Sequence, residues 1–276
     1  MLDQTLLVFG LLLSVALLGV VGLFTVRHFR RKKSLRRTGL SAVRGLQQLL
    51  TLIQQHRGLS NAILHGDHSL QTAIVAVRPK VLTQIEHCEA TSVWLKDDNQ
   101  WREITLAWAK ITADFSTFTS ETSFQRHCDL IAMVLNIIVT TAQRTYLVGM
   151  RGVRQKNDLA YLWQDLLVVA EKIGQVRALG IGIAVDGYCS PDRNERLQFL
   201  LAEVINASEQ LLCVIPNPEV IAANIARFVA TVEERILLAR PTISALDYFQ
   251  IASDAIDSLY EHYQSEMRLL MAAAFR

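Results

Sequence analysis

The chain has 276 residues, of which 51% are hydrophobic and 20% charged, a balance that excludes a disordered or low-complexity protein. Its net charge of +2 conceals an uneven distribution, because residues 1–44 carry eight basic side chains and one acidic side chain. Residues 45–276 carry 20 basic and 25 acidic side chains. This larger part is unsuited to binding nucleic acid, so we expect no nucleic-acid partner.

The first element is an uncharged apolar segment, residues 5–26, which is followed at once by basic residues. About 22 apolar residues are enough to span a bilayer as a helix. A signal peptide would carry its basic residues before a shorter apolar segment, so we expect an uncleaved transmembrane helix. The positive-inside rule places residues 1–4 outside, and the basic juxtamembrane segment 27–40 inside with all that follows. The predicted location is the inner (cytoplasmic) membrane, single-pass, with a cytoplasmic body.

Residues 41–273 show apolar side chains at three- and four-residue spacing with few glycines and prolines, which predicts an all-α fold. Start and stop signals, such as Ser190 followed by Pro191, predict where each helix lies. The eight predicted helices cover about residues 41–65, 69–95, 99–118, 120–149, 158–185, 190–214, 219–239 and 244–273. A polar connection, residues 151–158, divides them into two groups of four with short loops. We therefore expect two antiparallel four-helix bundles, residues 41–150 and 158–273.

Patterns typical of catalysis or metal binding are absent from the sequence. The four cysteines are far apart, so we expect free thiols and neither disulfides nor zinc. His65 and His68 form a near pair without an evident third ligand, so we expect no metal there. Trp101 and Trp108 are seven residues apart and are expected in the core. There is no nucleophile elbow, phosphate-binding loop or dinucleotide fingerprint, and we expect neither enzymatic activity nor a cofactor.

Arginines occupy positions on the apolar faces of predicted helices. Arg57 lies on this face of the first helix, and Arg177 lies on it in the fifth. Arg144 has the same spacing in the fourth helix, so spacing alone does not decide what such an arginine does. A charge at a core position is costly unless it is paired. The partner is either a bound anion or a protein carboxylate, for which the candidates are Glu171, Glu203 and Glu209. The alternative is that the helical register drifts and the Arg57 side chain extends to the surface.

The residue strings around Arg57 and Arg177 are more specific than their spacing. QQHRGLSNAIL (Gln54–Leu64) resembles the Q-x-E-R-G-L-S pattern of the nitrate- and nitrite-sensing (NIT) domain, found in bacterial receptors and transcription antiterminators. His56 stands where that pattern has glutamate. EKIGQVRALG (Glu171–Gly180) is similar to the family's second signature, a G-x-x-R-A segment that opens the second bundle. The resemblance covers approximately residues 41–273 and implies two four-helix bundles with anion-binding arginines between them.

The resemblance implies that nitrate or nitrite is bound by Arg57, Gly58, Ser60 and Arg177. Arginine suits a planar oxyanion because its guanidinium is a planar fork of donors that stays charged. We expect the two arginines to face an empty pocket and to repel each other without ligand, so that Arg57→Met is nearly neutral. A carboxylate partner would instead make this substitution cost about 3–5 kcal/mol. Three small residues near Arg177 are expected to leave volume beside its guanidinium: Ala178, Gly180 and Gly182.

The sequence as a whole predicts a membrane-anchored sensor of a small oxyanion. No output domain is expected after the eighth helix, so the signal would pass to a separate partner protein, through a homodimer or through the anchor at residues 5–26. The alternative is a membrane-anchored helical scaffold or interaction protein that has lost ligand binding. Binding of nitrate or nitrite to the body of the protein distinguishes the two hypotheses.

Overall fold

Eight α-helices make up most of the described chain. The structure is a computed structural model that describes residues 2–152 and 158–274, with the backbone alone for residues 2–17 and Ser116. The helices are α1 (Leu2–Leu64), α2 (Gln71–Thr91), α3 (Asn99–Ala113), α4 (Ser120–Arg144), α5 (Leu167–Asp186), α6 (Pro191–Leu212), α7 (Glu219–Thr231) and α8 (Ala245–Ala274). Within these residues there is no β-strand, only an isolated bridge between Arg151 and Asp158 at the predicted connection. The all-α prediction is confirmed.

The first four helices pack around a shared apolar core. α1 contacts α2 and α4, and α3 contacts α4. The sequence of α3 explains its orientation, because Trp101 and Trp108 recur on one helical face and both are buried, as predicted. The carboxylate of Asp98 accepts hydrogen bonds from two backbone N–H groups at the start of α3 and so caps it.

The last four helices are arranged around α5 and α8. These two helices contact each other, α6 contacts α5, and α7 contacts α8. α5 ends at Asp186 and is capped by Gly187, whose φ of +64° is a left-handed conformation that glycine adopts without steric cost. α6 begins as predicted, with the Ser190 hydroxyl accepting from the backbone N–H of Arg193 and with Pro191 in the first turn.

The two groups of helices meet along α1, α4, α5 and α8. α1 contacts both α5 and α8, and α4 contacts α5. This junction places the segment around Arg57, on α1, against the segment around Arg177, on α5. The boundaries of the predicted bundles, 41–150 and 158–273, stay a prediction, and residues 153–157 of the predicted connection lie outside the described residues.

The predicted helix ends differ from the observed ones at several points. α2 ends at Thr91 and is followed by a 3-10 turn, Val93–Asp97, where the sequence predicts a helix to about residue 95. α3 and α4 also end before the predicted residues 118 and 149. α7 continues into a π-helical turn, Val232–Ile236. The spacing of apolar residues does not locate these helix ends. Over a few residues, 3-10, α-helical and π-helical turns are all compatible with apolar side chains three or four residues apart.

α1 is a continuous helix, whereas the sequence predicts an anchor, a juxtamembrane segment and a first bundle helix. Among the residues that the structure describes, no helix has the combined length and apolarity needed to cross a membrane. Most of the predicted anchor, residues 5–26, belongs to the first 17 residues, whose side chains lie outside the description. The transmembrane segment therefore stays a prediction.

Candidate anion site

Arg57 forms an ion pair across the junction between α1 and α5. Its Nη1 donates to Oε1 of Glu171 and its Nη2 to Oε2, the second over 3.1 Å, and both side chains are buried. Nη1 also donates to Sγ of Cys128 on α4 over 3.4 Å. Burial alone lowers the pKa of Arg57, but the Glu171 carboxylate and Cys128 outweigh it and raise that pKa. A protein carboxylate thus holds Arg57 charged in the core.

The Glu171 carboxylate has further donors on both oxygens. It accepts from Nε2 of Gln54 over 2.8 Å and from Nε2 of Gln175 over 2.9 Å. The Tyr260 hydroxyl of α8 donates to Oε1 of Gln54 over 2.8 Å. These hydrogen bonds connect α1, α5 and α8 in one network of half-buried side chains around the buried ion pair. We call this set the ion-pair network: Gln54, Arg57, Glu171, Gln175 and Tyr260.

The glycine of the second motif, Gly174, makes room for this ion pair. A Cβ at this position would lie 3.0 Å from Nη2 of Arg57 and 3.9 Å from Oε2 of Glu171. Only glycine lets the guanidinium approach the backbone of α5 without displacement. The strings QQHRGLS and EKIGQVRALG, far apart in sequence, therefore contact each other directly.

Arg177, the second predicted ligand, lies in a different environment. Its Nη1 donates to Oγ of Ser253 on α8 over 3.0 Å, and its Cζ lies 5.2 Å from the centroid of the Phe249 ring. Within the described part of the chain, no carboxylate is within ion-pair distance of it. Burial lowers the pKa of Arg177, and the positive charge of Arg57 lowers it further. The charges of Asp257, Tyr248 and Glu171 oppose this lowering of the pKa, Asp257 most strongly. Arg177 therefore feels these negative charges at longer range, but none of them forms a direct ion pair with it among the described residues.

This arrangement corrects the prediction of an empty pocket shared by the two arginines, because Glu171 occupies the Arg57 guanidinium. The other two predicted ligands lie elsewhere. The Ser60 hydroxyl is buried 3.3 Å from Nδ1 of His56. Gly58 is exposed, and a Cβ there would meet no atom within 4 Å. The structure brings Arg57 together with Glu171 and not with Ser60 or Gly58.

A cavity of about 90 Å³ lies between α1, α4, α5 and α6. Ala178 and Gly182 are among its lining residues, but Arg57 and Arg177 are not, so this space is not shown to adjoin either guanidinium. The Phe124 ring also lines this cavity, with its centroid 5.7 Å from Cζ of Arg57. The cavity has room for several water molecules, and hence for an anion of three oxygens.

Gly180 does not border open space, contrary to the prediction. A Cβ at this position would lie 2.4 Å from the hydroxyl oxygen of Tyr248, whose ring is fully buried. That hydroxyl donates to the backbone carbonyl of Val176 over 3.0 Å, which fixes the ring in place. The space beside Gly180 is therefore filled by an aromatic side chain of α8.

We expect Gly180→Ala to destabilise the protein by about 1–3 kcal/mol, because the rigid Tyr248 ring must move. Gly182→Ala in the same helix is the matched control, since its Cβ would lie 3.9 Å from the nearest atoms, in the His65 ring. The control should stabilise the protein by up to about 1 kcal/mol through helix propensity. Urea unfolding of the two variants measures the difference. Equal effects would contradict the packing of Tyr248 on Gly180.

His56, which stands where the family pattern has glutamate, forms a buried pair with His127 of α4. Nδ1 of His127 is 2.6 Å from the carbonyl oxygen of Ser123, which can only accept, so this nitrogen carries the proton. Nε2 of His127 is then the acceptor for Nδ1–H of His56, over 2.8 Å. Nε2 of His56 in turn accepts from Nε of Arg78 over 3.5 Å. This assignment of protons requires both imidazoles to be neutral.

The pKa values of both histidines agree with this assignment. Burial lowers the pKa of His56 to about 3, and electrostatic interactions with His127 and Arg78 lower it further. Burial lowers the pKa of His127 to about 4, helped by the charge of Arg57 and opposed by the hydrogen bond to Ser123. Protonation of either ring would place an unpaired charge in the core of the first four helices.

Several members of the site were not predicted from the sequence. Gln54, Gly174 and Gln175 lie inside the two quoted strings, so the signal for them was the string itself. His127 and Cys128 lie on α4, in a segment without any motif, and their proximity to Arg57 depends on helix packing. Glu171 was one of three candidate carboxylates, and the structure selects it.

Comparison with known proteins yields a similarity of fold. No protein-family model matches the chain, and no curated protein matches it. Among solved structures, the chain is similar to the NasR transcription antiterminator, with a TM-score of 0.70 and 17% sequence identity. The match covers 92% of this chain and 74% of that chain. At this identity the similarity shows a shared all-helical fold.

Proposed function

We propose that this protein is a membrane-anchored sensor that binds a small oxyanion, nitrate or nitrite, at the junction of its two groups of helices. The observation that carries the proposal is Arg177, a half-buried cation near the Arg57–Glu171 pair that has no carboxylate within ion-pair distance in the described part of the chain. A small anion at Arg177 would supply the missing charge, and its weak hydration would keep the cost of burial low. The chemistry is binding, and we propose no catalytic activity.

The Arg57–Glu171 pair suggests how binding would alter the protein. A carboxylate resembles nitrate in being planar and singly charged, so Glu171 holds Arg57 in the way an oxyanion would. An anion beside Arg177 adds negative charge next to Glu171 and weakens the hold of that carboxylate on Arg57. Binding would therefore favour an arrangement of α1 and α5 in which the Arg57–Glu171 pair is loosened. The anion shifts the equilibrium between the two arrangements only by the difference in its affinity for them.

The exposed part of α1 supports the proposed anchor. Leu18, Leu23 and Phe24 are between 68% and 73% exposed, and all described side chains from residue 18 to residue 31 are exposed. Apolar side chains on every side of an isolated helix are stable in lipid or against another protein. With the basic segment 27–40, this favours insertion of residues 5–26 in the inner membrane and a cytoplasmic body. A homodimer or a separate signalling protein would receive the signal.

The likeness to NasR supports a sensor in part. NasR is a transcription antiterminator, and the NIT resemblance of QQHRGLS and EKIGQVRALG concerns a domain found in proteins of that class. Antitermination is a property of that protein. For this chain, the acidic balance of residues 45–276 favours a signal passed to a protein partner over contact with nucleic acid.

We expect nitrate or nitrite to raise the thermal stability of the full-length protein at an ionic strength matched with chloride. A ligand at about 100 times its Kd stabilises by roughly 2.7 kcal/mol, and Arg177→Met should abolish this anion-specific shift. Lys172→Met is the matched control, because Lys172 lies on the same helix and is paired with Glu203 over 2.8 Å. The anion-specific gain in thermal stability should be the same for Lys172→Met as for the wild type.

A second candidate function is favoured by the ion pair itself. Because Glu171 already satisfies Arg57, the junction can be stable without any ligand, as expected for a helical scaffold or interaction protein that has lost ligand binding. Absence of an anion-specific shift in the wild type would overturn the sensor proposal and favour the scaffold.

A further inference from the structure

A second candidate binding site lies in a groove of about 840 Å³ between α1, α2 and α8. None of its lining residues belongs to the ion-pair network. Its size is within the range of sites for small organic molecules, roughly 300–1,000 Å³. We call it the α1–α2–α8 groove, and its relevant lining residues are Arg44, Gln48, Lys80, Tyr263, Met267 and Arg268.

The charges of this groove have one sign. Each of the three helices contributes one cation, namely Arg44 from α1, Lys80 from α2 and Arg268 from α8. No acidic side chain lines the groove, and among described residues no carboxylate is within ion-pair distance of the three cations. Three uncompensated cations around one concave surface favour a ligand with a multiply charged anionic group.

The floor of the groove is apolar and contains a buried hydroxyl without a partner. Leu52 and Met271 are half-buried and provide apolar and polarisable surface, whereas Met267 and Tyr263, which also line the groove, are buried. Tyr263 is 1% exposed, and its hydroxyl has no hydrogen-bond partner among the described residues. A buried phenol normally finds a partner, so this hydroxyl retains an unused hydrogen-bonding capacity beneath the groove. Burial and Tyr260 raise the pKa of Tyr263, and the Arg44 charge opposes that rise.

Amide side chains complete the lining. Gln48 lies on α1 and Gln264 on α8, whereas Nε2 of Gln84 on α2 already donates to the backbone carbonyl of Gly45 over 2.8 Å. An amide presents a donor next to an acceptor, which matches the paired donor and acceptor on the edge of a nucleobase. A flat ring lying on methionine sulfur gains further contact energy.

We propose that the α1–α2–α8 groove binds a phosphorylated nucleoside, with the phosphate between Arg44, Lys80 and Arg268 and the base on the apolar floor of Leu52 and Met271. The amides of Gln48 and Gln264 face the edge of the base. This site is separate from the junction around Arg177, and the proposal does not depend on oxyanion binding there.

Isothermal titration of the full-length protein with adenosine monophosphate, adenosine and inorganic phosphate at matched ionic strength tests the proposal. Adenosine monophosphate should bind, and the other two should bind at least about tenfold more weakly, because each lacks half of the contacts. Equal binding of inorganic phosphate would overturn the proposal, since the floor would then contribute nothing. No binding of any of the three would overturn it as well.

Substitutions of single cations distinguish binding in the groove from non-specific electrostatic attraction to the protein surface. Lys80→Gln and Arg268→Gln should each weaken binding of adenosine monophosphate by about tenfold. Lys110→Gln, an exposed cation on α3 outside the groove, is the matched control and should leave binding unchanged. An equal loss with Lys110→Gln would overturn the site.

The unpartnered phenol gives an independent readout. Tyr263→Phe removes a hydroxyl that has no partner in the free protein, so the midpoint of urea unfolding should not fall. The same variant should weaken binding of adenosine monophosphate several-fold. A fall in stability, or unchanged binding, would contradict the proposed role of this hydroxyl and the placement of the ligand. None of these outcomes bears on the nitrate response of Arg177.

Discussion

Replacing Arg57 with methionine should lower the free energy of unfolding by about 3–5 kcal/mol. The substitution leaves the Glu171 carboxylate in a buried site where its remaining donors are the neutral amides of Gln54 and Gln175. Two neutral hydrogen bonds do not replace the bidentate guanidinium, so the carboxylate must take up a proton or draw water into the junction. Urea unfolding of the full-length protein measures the loss.

The double variant Arg57→Met/Glu171→Leu shows whether this loss comes from a stranded charge. Removing both members leaves an apolar contact, and most of the stability should return. Arg227→Met is the matched control, because Arg227 pairs with Asp254 on a partly exposed surface between α7 and α8. That pair should contribute only about 0–1 kcal/mol. An Arg57→Met variant as stable as the Arg227→Met control would mean that Glu171 does not depend on Arg57.

This expectation differs from the one based on sequence, and Arg57, Arg144 and Arg177 show why. All three have the spacing of an apolar helical face, yet the structure places Arg57 in the core and Arg177 half-buried. The side chain of Arg144 is 53% exposed. Its Nη2 lies 3.5 Å from Oδ2 of Asp98, and its Cζ lies 4.2 Å from the centroid of the Trp94 ring. The spacing of residues determines which face of a helix a side chain lies on, but not how exposed that side chain is. Its exposure depends on which other helix packs against that face, which is a property of the tertiary structure.

The class of fold was predictable because it rests on local signals. Ser190 and Pro191 act on the nearest turn of α6, and Trp101 and Trp108 repeat at the helical period within α3. Gly174 shows the opposite case. Its need for a hydrogen side chain arises from Arg57, more than 100 residues earlier, and the hydrogen bond between His56 and His127 has the same long-range origin. Such contacts become visible only when α1, α4 and α5 are placed together.

The buried pair of His56 and His127 should make the folded protein less stable at mildly acidic pH. Both imidazoles are neutral in the folded protein, with pKa values of about 3 and about 4, whereas an unfolded histidine has a pKa of 6.5. Below pH 6.5 the unfolded chain therefore binds up to two more protons than the folded protein. The free energy of unfolding should fall by up to about 2.7 kcal/mol per pH unit, or roughly 3–4 kcal/mol between pH 7 and pH 5. Stability is complete above pH 6.5 and is lost as the pH falls towards 4.

Urea unfolding of wild type and of His56→Gln/His127→Gln between pH 7.5 and pH 5, at about half-unit steps, tests this origin. The double variant should be less stable at pH 7.5 but should have a much smaller slope, because fewer protons are taken up on unfolding. A residual slope is expected from His262, whose pKa burial also lowers. Trp108→Phe is the matched control, since the Trp108 ring packs 4.9 Å from the His56 ring and carries no proton that titrates. It should lower stability at every pH and keep the wild-type slope. A wild-type slope in the double histidine variant would assign the acid sensitivity to other groups.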